Sequence, residues 1–147
     1  MQTCTFFGHR ECYGLEEGVL CSAIVDLIAQ GVTDFLVGEQ GMFDRMVYGC
    51  LKRLRRVYPR IQVSVVLANL PTQKREEENM QDKIYPEIEG HPRFTIDRRN
   101  RWMVENADCC LCYITHTWGG AYKYACIAKR SGLKVINLGS AALGGEA

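Results

Sequence analysis

Thr3-Cys4-Thr5-Phe6-Phe7-Gly8-His9-Arg10 is the stretch that decides the fold. A short apolar run ends on a glycine, and a helical pattern follows it. Residues 3–8 read as a strand. Leu15, Val19, Leu20, Ala23, Ile24, Leu27 and Ile28 then recur at helical spacing until Gly31 offers a stop. The same grammar returns twice, where Gly38-Glu39-Gln40-Gly41-Met42-Phe43-Asp44 and Trp118-Gly119-Gly120 close apolar runs and lead into helices. In an open parallel sheet such loops share one edge, where ligands bind and helix N-termini present free N–H groups to anions. Three of them on one edge suggest a nucleotide-sized pocket.

The other elements follow from periodicity. Phe35-Leu36-Val37 reads as a second strand. Met46, Val47, Cys50, Leu51, Leu54 and Val57 form one helical stripe, with Arg45, Lys52, Arg53, Arg55 and Arg56 largely off it, and Tyr58-Pro59 ends that helix. Residues 61–67 make a valine-rich third strand. Periodicity then fails from 68 to 96, a segment with three prolines and the charge run Lys74-Arg75-Glu76-Glu77-Glu78, read as an irregular insertion or a lid over the pocket. A short helix over 98–106, a strand over 109–115, a helix over 122–130 closed by Gly132 and a strand over 134–138 complete the pattern, and 139–147 read as a flexible tail. Alternating strands and helices imply an α/β protein, a doubly wound parallel sheet of about five strands in the order 3-2-1-4-5 with helices on both faces. Strand order reverses between the first and fourth strands, so the His9 and Trp118 loops flank the switch point.

At 147 residues the chain fits one domain, residues 1–138 plus the tail, with no repeat or linker. A net charge of +1 gives no general electrostatic reason to bind nucleic acid or acidic membrane. No apolar run approaches the ~20 residues of a membrane helix, and no leader pattern opens the chain, so a cytoplasmic protein is expected. The 8 cysteines sit mostly in apolar-periodic segments and read as reduced core residues. Cys109 and Cys112 form a C-x-x-C, yet residues three apart on a strand face opposite ways, so neither a metal site nor a cofactor is expected.

Several loop residues carry candidate chemistry. Gly8, Gly119 and Gly120 leave room for a ligand at the backbone, and the amides of Gly120 and Ala121 open a helix whose dipole favours phosphate. Arg10 offers a fork of donors, with His9 beside it as ligand contact or as a hydrogen-bonded loop histidine. Gly38 and Gly41 shape the second loop. Asp44 stands where a helix begins and reads first as its N-cap, with a bond to a ribose hydroxyl as the sharper alternative. Helical spacing puts Arg99 on a face with Trp102, Met103 and Asn106, able to reach inward. Trp118 offers a ring for a base or covers the sheet end, with His116 and Tyr122 bordering the turn.

Phe7-Gly8-His9-Arg10, Gly41-Met42-Phe43-Asp44, Arg99-Asn100-Arg101-Trp102-Met103-Val104, Ala107-Asp108 and Trp118-Gly119-Gly120, in this order, resemble the SLOG superfamily, nearest its small YpsA-like bacterial and phage members. The resemblance covers roughly residues 3–138. It implies a Rossmann-like fold that binds nucleotides or molecules derived from them. It also extends to LOG phosphoribohydrolases, through Arg99 four residues before Met103 and through Gly119-Gly120. Those enzymes continue with a glycine-threonine step and a catalytic acid, whereas this chain reads Ala121-Tyr122-Lys123-Tyr124-Ala125, with Ala125 near the place of the glutamate. Glycosidic cleavage needs a carboxylate. The leading expectation is therefore a binder, a sensor or sequestering domain for a nucleoside phosphate or an ADP-ribose derivative. A glycosidase using Glu39 or Asp44 is the alternative. DprA-like binding of single-stranded DNA, resting on basic residues 45, 52, 53, 55 and 56, is the third reading. Related folds pair through helices, so the resemblance also implies a homodimer, which no residue here specifies.

Overall fold

Six parallel strands form one sheet in the order β4-β3-β2-β1-β5-β6 in a computed structural model that describes residues 2–69, 82–86 and 94–144. They are β1 (Gln2–Gly8), β2 (Val32–Val37), β3 (Gln62–Val66), β4 (Lys83–Ile84), β5 (Cys109–Tyr113) and β6 (Lys134–Asn137). Four helices accompany them: α1 (Glu17–Ala29), α2 (Gly41–Val57), α3 (Thr95–Glu105) and α4 (Gly119–Arg130). The sequence order 3-2-1-4-5 is thus observed, with one addition. The two-residue β4 extends the edge beyond β3 and makes six strands where about five are expected. It lies inside the aperiodic segment 68–96, most of which, with any lid it forms, falls outside the described residues.

The sheet is buried on both faces, as parallel strands require. Cys4 and Phe6 of β1, Phe35 and Val37 of β2, and Cys109, Leu111 and Tyr113 of β5 face one layer, built by Leu20, Ile24 and Leu27 of α1 with Phe43, Val47, Cys50 and Leu51 of α2. Phe7, Leu36, Val66, Cys110, Cys112 and Ile114 face the other, where Met103 and Val104 of α3 meet Tyr124, Ala125 and Ala128 of α4. Cys109 and Cys112 fall on opposite faces, and the eight thiols are free. Val19 and Val57, expected on the apolar stripes, are exposed near helix ends.

Helix ends follow local chemistry. Gly31 and Gly132 take positive φ just past α1 and α4, a conformation that closes a helix at little cost only for glycine. Asp82 ties β4 to α2, accepting two hydrogen bonds from Arg55 (2.8 and 2.9 Å) and one from the Tyr48 hydroxyl (2.9 Å). After β6, the Gly139 N–H donates to Asn137 Oδ1 and the Ala141 N–H to the Ile114 carbonyl, and Ala141 and Leu143 pack on the α3/α4 layer. The segment read as a tail therefore carries contacts as far as Leu143. No described helix is long and apolar enough to cross a membrane.

The end of β1 is the tightest point of the packing. A Cβ on Gly8 would lie 2.1 Å from Cγ and 2.7 Å from Cβ of Phe43, a fully buried side chain. Gly8→Ala is expected to destabilise the protein by about 1–3 kcal/mol or more through overpacking, read as a lower urea midpoint at unchanged m-value. An unchanged midpoint would show that α2 shifts freely against β1.

Candidate functional site

The loops after β1, β2 and β5 meet at the carboxyl edge around a cavity of about 790 Å³, within the ordinary range for small-ligand sites. It lies where strand order reverses, between β1 and β5. Of the expected residues, Gly8, His9, Arg10, Gly38, Asp44, Arg99, Trp118, Gly119, Gly120 and Ala121 line it. Two do not. Glu39 points to Lys83, 4.0 Å away, and Gly41 lies beneath Arg10, whose Cα stands 2.7 Å from where a Cβ would project.

Two helix N-termini approach the cavity, and they differ. Both begin on a glycine of positive φ, Gly41 at +85° and Gly119 at +89°, where other residues would be strained. At α2 two of the amides are bonded within the protein. The Gln40 N–H donates to Asp44 Oδ2 (2.8 Å) and the Met42 N–H to the Arg10 carbonyl (2.8 Å). Asp44 is therefore not the N-cap expected from the sequence, since the helix starts at Gly41 and Gln40 holds the cap position. The carboxylate reaches back from the first turn to the N-cap N–H, from one position beyond that of a capping-box acid. At α4, among the described residues, no N-cap side chain bonds the helix start, as none does at α2, but here no acidic residue stands in the first turn either. Gly119, Gly120 and Ala121 line the cavity, and the positive end of the dipole faces it.

The floor is charged. Arg99 is only 3% exposed, donating from Nε to Asn100 Oδ1 (2.8 Å) and from Nη1 to the Val66 carbonyl (3.2 Å). Gly38 separates it from Asp44. A Cβ there would sit 2.9 Å from Asp44 Oδ2 and 3.2 Å from Arg99 Nη1, so the absence of a side chain lets the two groups face each other. Burial pushes the Asp44 carboxyl up to about 6, against the opposing pull of the Gln40 N–H and the Arg99 charge. Burial likewise lowers Arg99, while Asp44 and Glu39 raise it. Asp44 Oδ1 has no hydrogen-bond partner among the described residues, yet it is not sealed in protein, because the residue opens onto the cavity.

A stack of rings forms one wall. His9 and His116 lie 3.7 Å apart between centroids, and His116 and Trp118 3.9 Å apart, all nearly parallel. His9 Nε2 accepts the Thr115 N–H (3.0 Å), which fixes the neutral tautomer with its proton on Nδ1. Burial and the neighbouring His116 hold its pKa below the ordinary value. His116 Nδ1 donates to the Trp118 carbonyl (3.1 Å). Trp118 itself is 68% exposed at the rim. Asn100 and Tyr124 also line the cavity and were not singled out from the sequence. Tyr124 packs on Phe7 and donates its hydroxyl to Asp97, and burial with that bond raises the phenol to about 12. Its contacts are with Phe7, in β1, and with Asp97, 27 residues upstream, which no local pattern encodes. Among the described residues no cluster of His, Cys, Asp and Glu could hold a metal ion.

No family model and no curated protein matches this chain.

The Asp44 carboxyl gives a measurable signature. Its folded pKa of about 6 exceeds the ordinary 3.8, so the folded state binds this proton more tightly than the unfolded chain. The corresponding stability is fully present below about pH 4 and is lost as pH rises through about 6. Asp44→Asn keeps an oxygen for the Gln40 N–H and carries no charge. Relative to the native protein it should gain up to about 3 kcal/mol between pH 4 and pH 7.5 in urea unfolding. A difference independent of pH would mean that the carboxyl is not perturbed.

Proposed function

We propose that the protein binds a nucleotide-derived small molecule, a nucleoside phosphate or an ADP-ribose derivative, with a phosphate on the α4 N-terminus. The observation that carries this reading is the contrast between the two helix starts on one cavity. Two amides at the start of α2 are bonded within the protein and face a first-turn carboxylate, whereas among the described residues the Gly119, Gly120 and Ala121 amides of α4 have no partner and no first-turn carboxylate stands against them. Free amides at a helix N-terminus form an anion site without further side chains. The His9-His116-Trp118 stack leaves one face of an exposed indole at the rim, where a base would stack.

A hydrolytic reading remains in second place, carried by Asp44 rather than Glu39, because only the former lines the cavity. A carboxyl raised to about 6 suits general acid or base work near neutral pH. The DNA-binding reading has less support. Arg53 pairs with Glu17, Arg55 with Asp82, and Lys52 lies over the Tyr48 ring, so three of its five basic residues already have protein partners.

Incubating the protein with a small-nucleotide extract separates the readings by mass spectrometry of the free pool. A compound withdrawn and returned intact on denaturation is the expected result. A compound lost for good, with a free base released, would favour the hydrolytic reading instead. Gly120→Asp tests the anion site itself. A Cβ there meets nothing within 4 Å, and an acidic first turn suits the helix. The variant should therefore fold as well as the native protein while its Kd for the recovered ligand rises at least tenfold. Equal affinity would remove the phosphate from α4. Trp118→Ala should weaken a nucleoside monophosphate about tenfold and leave ribose 5-phosphate unchanged.

A further inference from the structure

Asp44 divides the cavity in a way the phosphate site alone does not explain. A carboxylate on the floor repels a phosphate placed beside it, and Arg99, the cation facing it across Gly38, serves as its charge partner. The cavity therefore has two unlike ends. Anions are favoured at α4, after β5, and hydrogen-bond donors at Asp44, beyond the end of β2. β1 alone lies between those strands, so the two ends are about 10 Å apart, two strand spacings. A ribose 5-phosphate has this polarity, with the anion at one end and neutral hydroxyl donors at the other.

We infer that Asp44 is the sugar anchor of the site, its Oδ1 accepting a hydrogen bond from the 2′- or 3′-hydroxyl of a ribose whose 5′-phosphate sits on α4. The inference rests on the nucleotide reading above and narrows it to ribonucleotides. Three features carry it. Asp44 is only 8% exposed, so its geometry is fixed before a ligand arrives. Oδ2 is held by the Gln40 N–H, which aims the carboxylate and leaves Oδ1 without a partner among the described residues. The carboxylate remains the predominant form at neutral pH despite its burial, so it accepts rather than donates. A desolvated ionic acceptor discriminates strongly against a ligand that lacks the matching hydroxyl, because the acceptor is then left unsatisfied.

Calorimetric titration at pH 7.5 with AMP, 2′-deoxy-AMP, 3′-deoxy-AMP, ADP-ribose and inorganic phosphate tests this. The native protein should bind AMP about tenfold or more tightly than at least one of the deoxy analogues. Asp44→Asn should bring AMP down to the level of that analogue while leaving inorganic phosphate unchanged. Equal affinity for AMP and both analogues overturns the sugar anchor and leaves the phosphate site standing. So does an Asn variant that keeps the discrimination. Binding of none of AMP, ADP-ribose and phosphate overturns the nucleotide reading and this inference with it. The analogue comparison needs only the native protein, so it decides the matter even if the variant fails to fold.

Discussion

The packing of Phe43 against Gly8 is the contact on which the rest of the site depends. The ring occupies the space of a side chain at the end of β1, so the first turn of α2 sits directly over the strand terminus. From there the Met42 N–H reaches the Arg10 carbonyl, the Gln40 N–H meets Asp44, and Asp44 comes to face Arg99 across Gly38. A larger residue at position 8 would displace α2, and with it the carboxylate on the cavity floor. Gly8 thus belongs to the core as much as to the loop.

The burial of Asp44 and Arg99 runs against the ordinary logic of folding. Taking both groups out of water carries a desolvation penalty that their attraction offsets only in part, which is why burial raises the acid and lowers the base. An apolar pair of similar volume would pack the same space without that penalty. The remaining hydrogen bonds soften it: Arg99 donates to Asn100 and Val66, and Asp44 accepts from Gln40. Oδ1 is left over. Any carboxylate cap carries a second oxygen, and here the residue that bears it opens onto the cavity.

The fold was legible because its signals are local and periodic. Residues 3–8, the Leu20-Ile24-Leu27 spacing and the continuous apolar run Cys109–Tyr113 each state their element within a few positions. The two-residue β4 has no period to show, and it is held by Asp82 contacts to Arg55 and Tyr48 far upstream. α2 and α4 begin earlier than their apolar stripes because each starts on a left-handed glycine, which periodicity does not register. Ten of the twelve candidate residues line the cavity because topology brings the loops together. Glu39, one residue from Gly38, turns to Lys83 instead, and sequence gives no means of distinguishing those directions. The ring stack joins His9 to His116 across β1 and β5, a contact that exists only once the strands are paired.

The ring stack and the charged floor constrain the cavity in complementary ways. His9 gives its Nε2 to the Thr115 amide and is held neutral by burial and by His116, so it adds no charge beside the α4 N-terminus. The positive potential there comes from backbone amides, which have no pKa in the physiological range and keep their donor character at every working pH. On the floor, burial pushes the Asp44 carboxyl up to about 6. The two ends of the cavity thus present different chemistry, backbone donors at α4 and a carboxylate acceptor on the floor. A change of pH across 6 alters the charge of the Asp44 acceptor and leaves the α4 amides as donors.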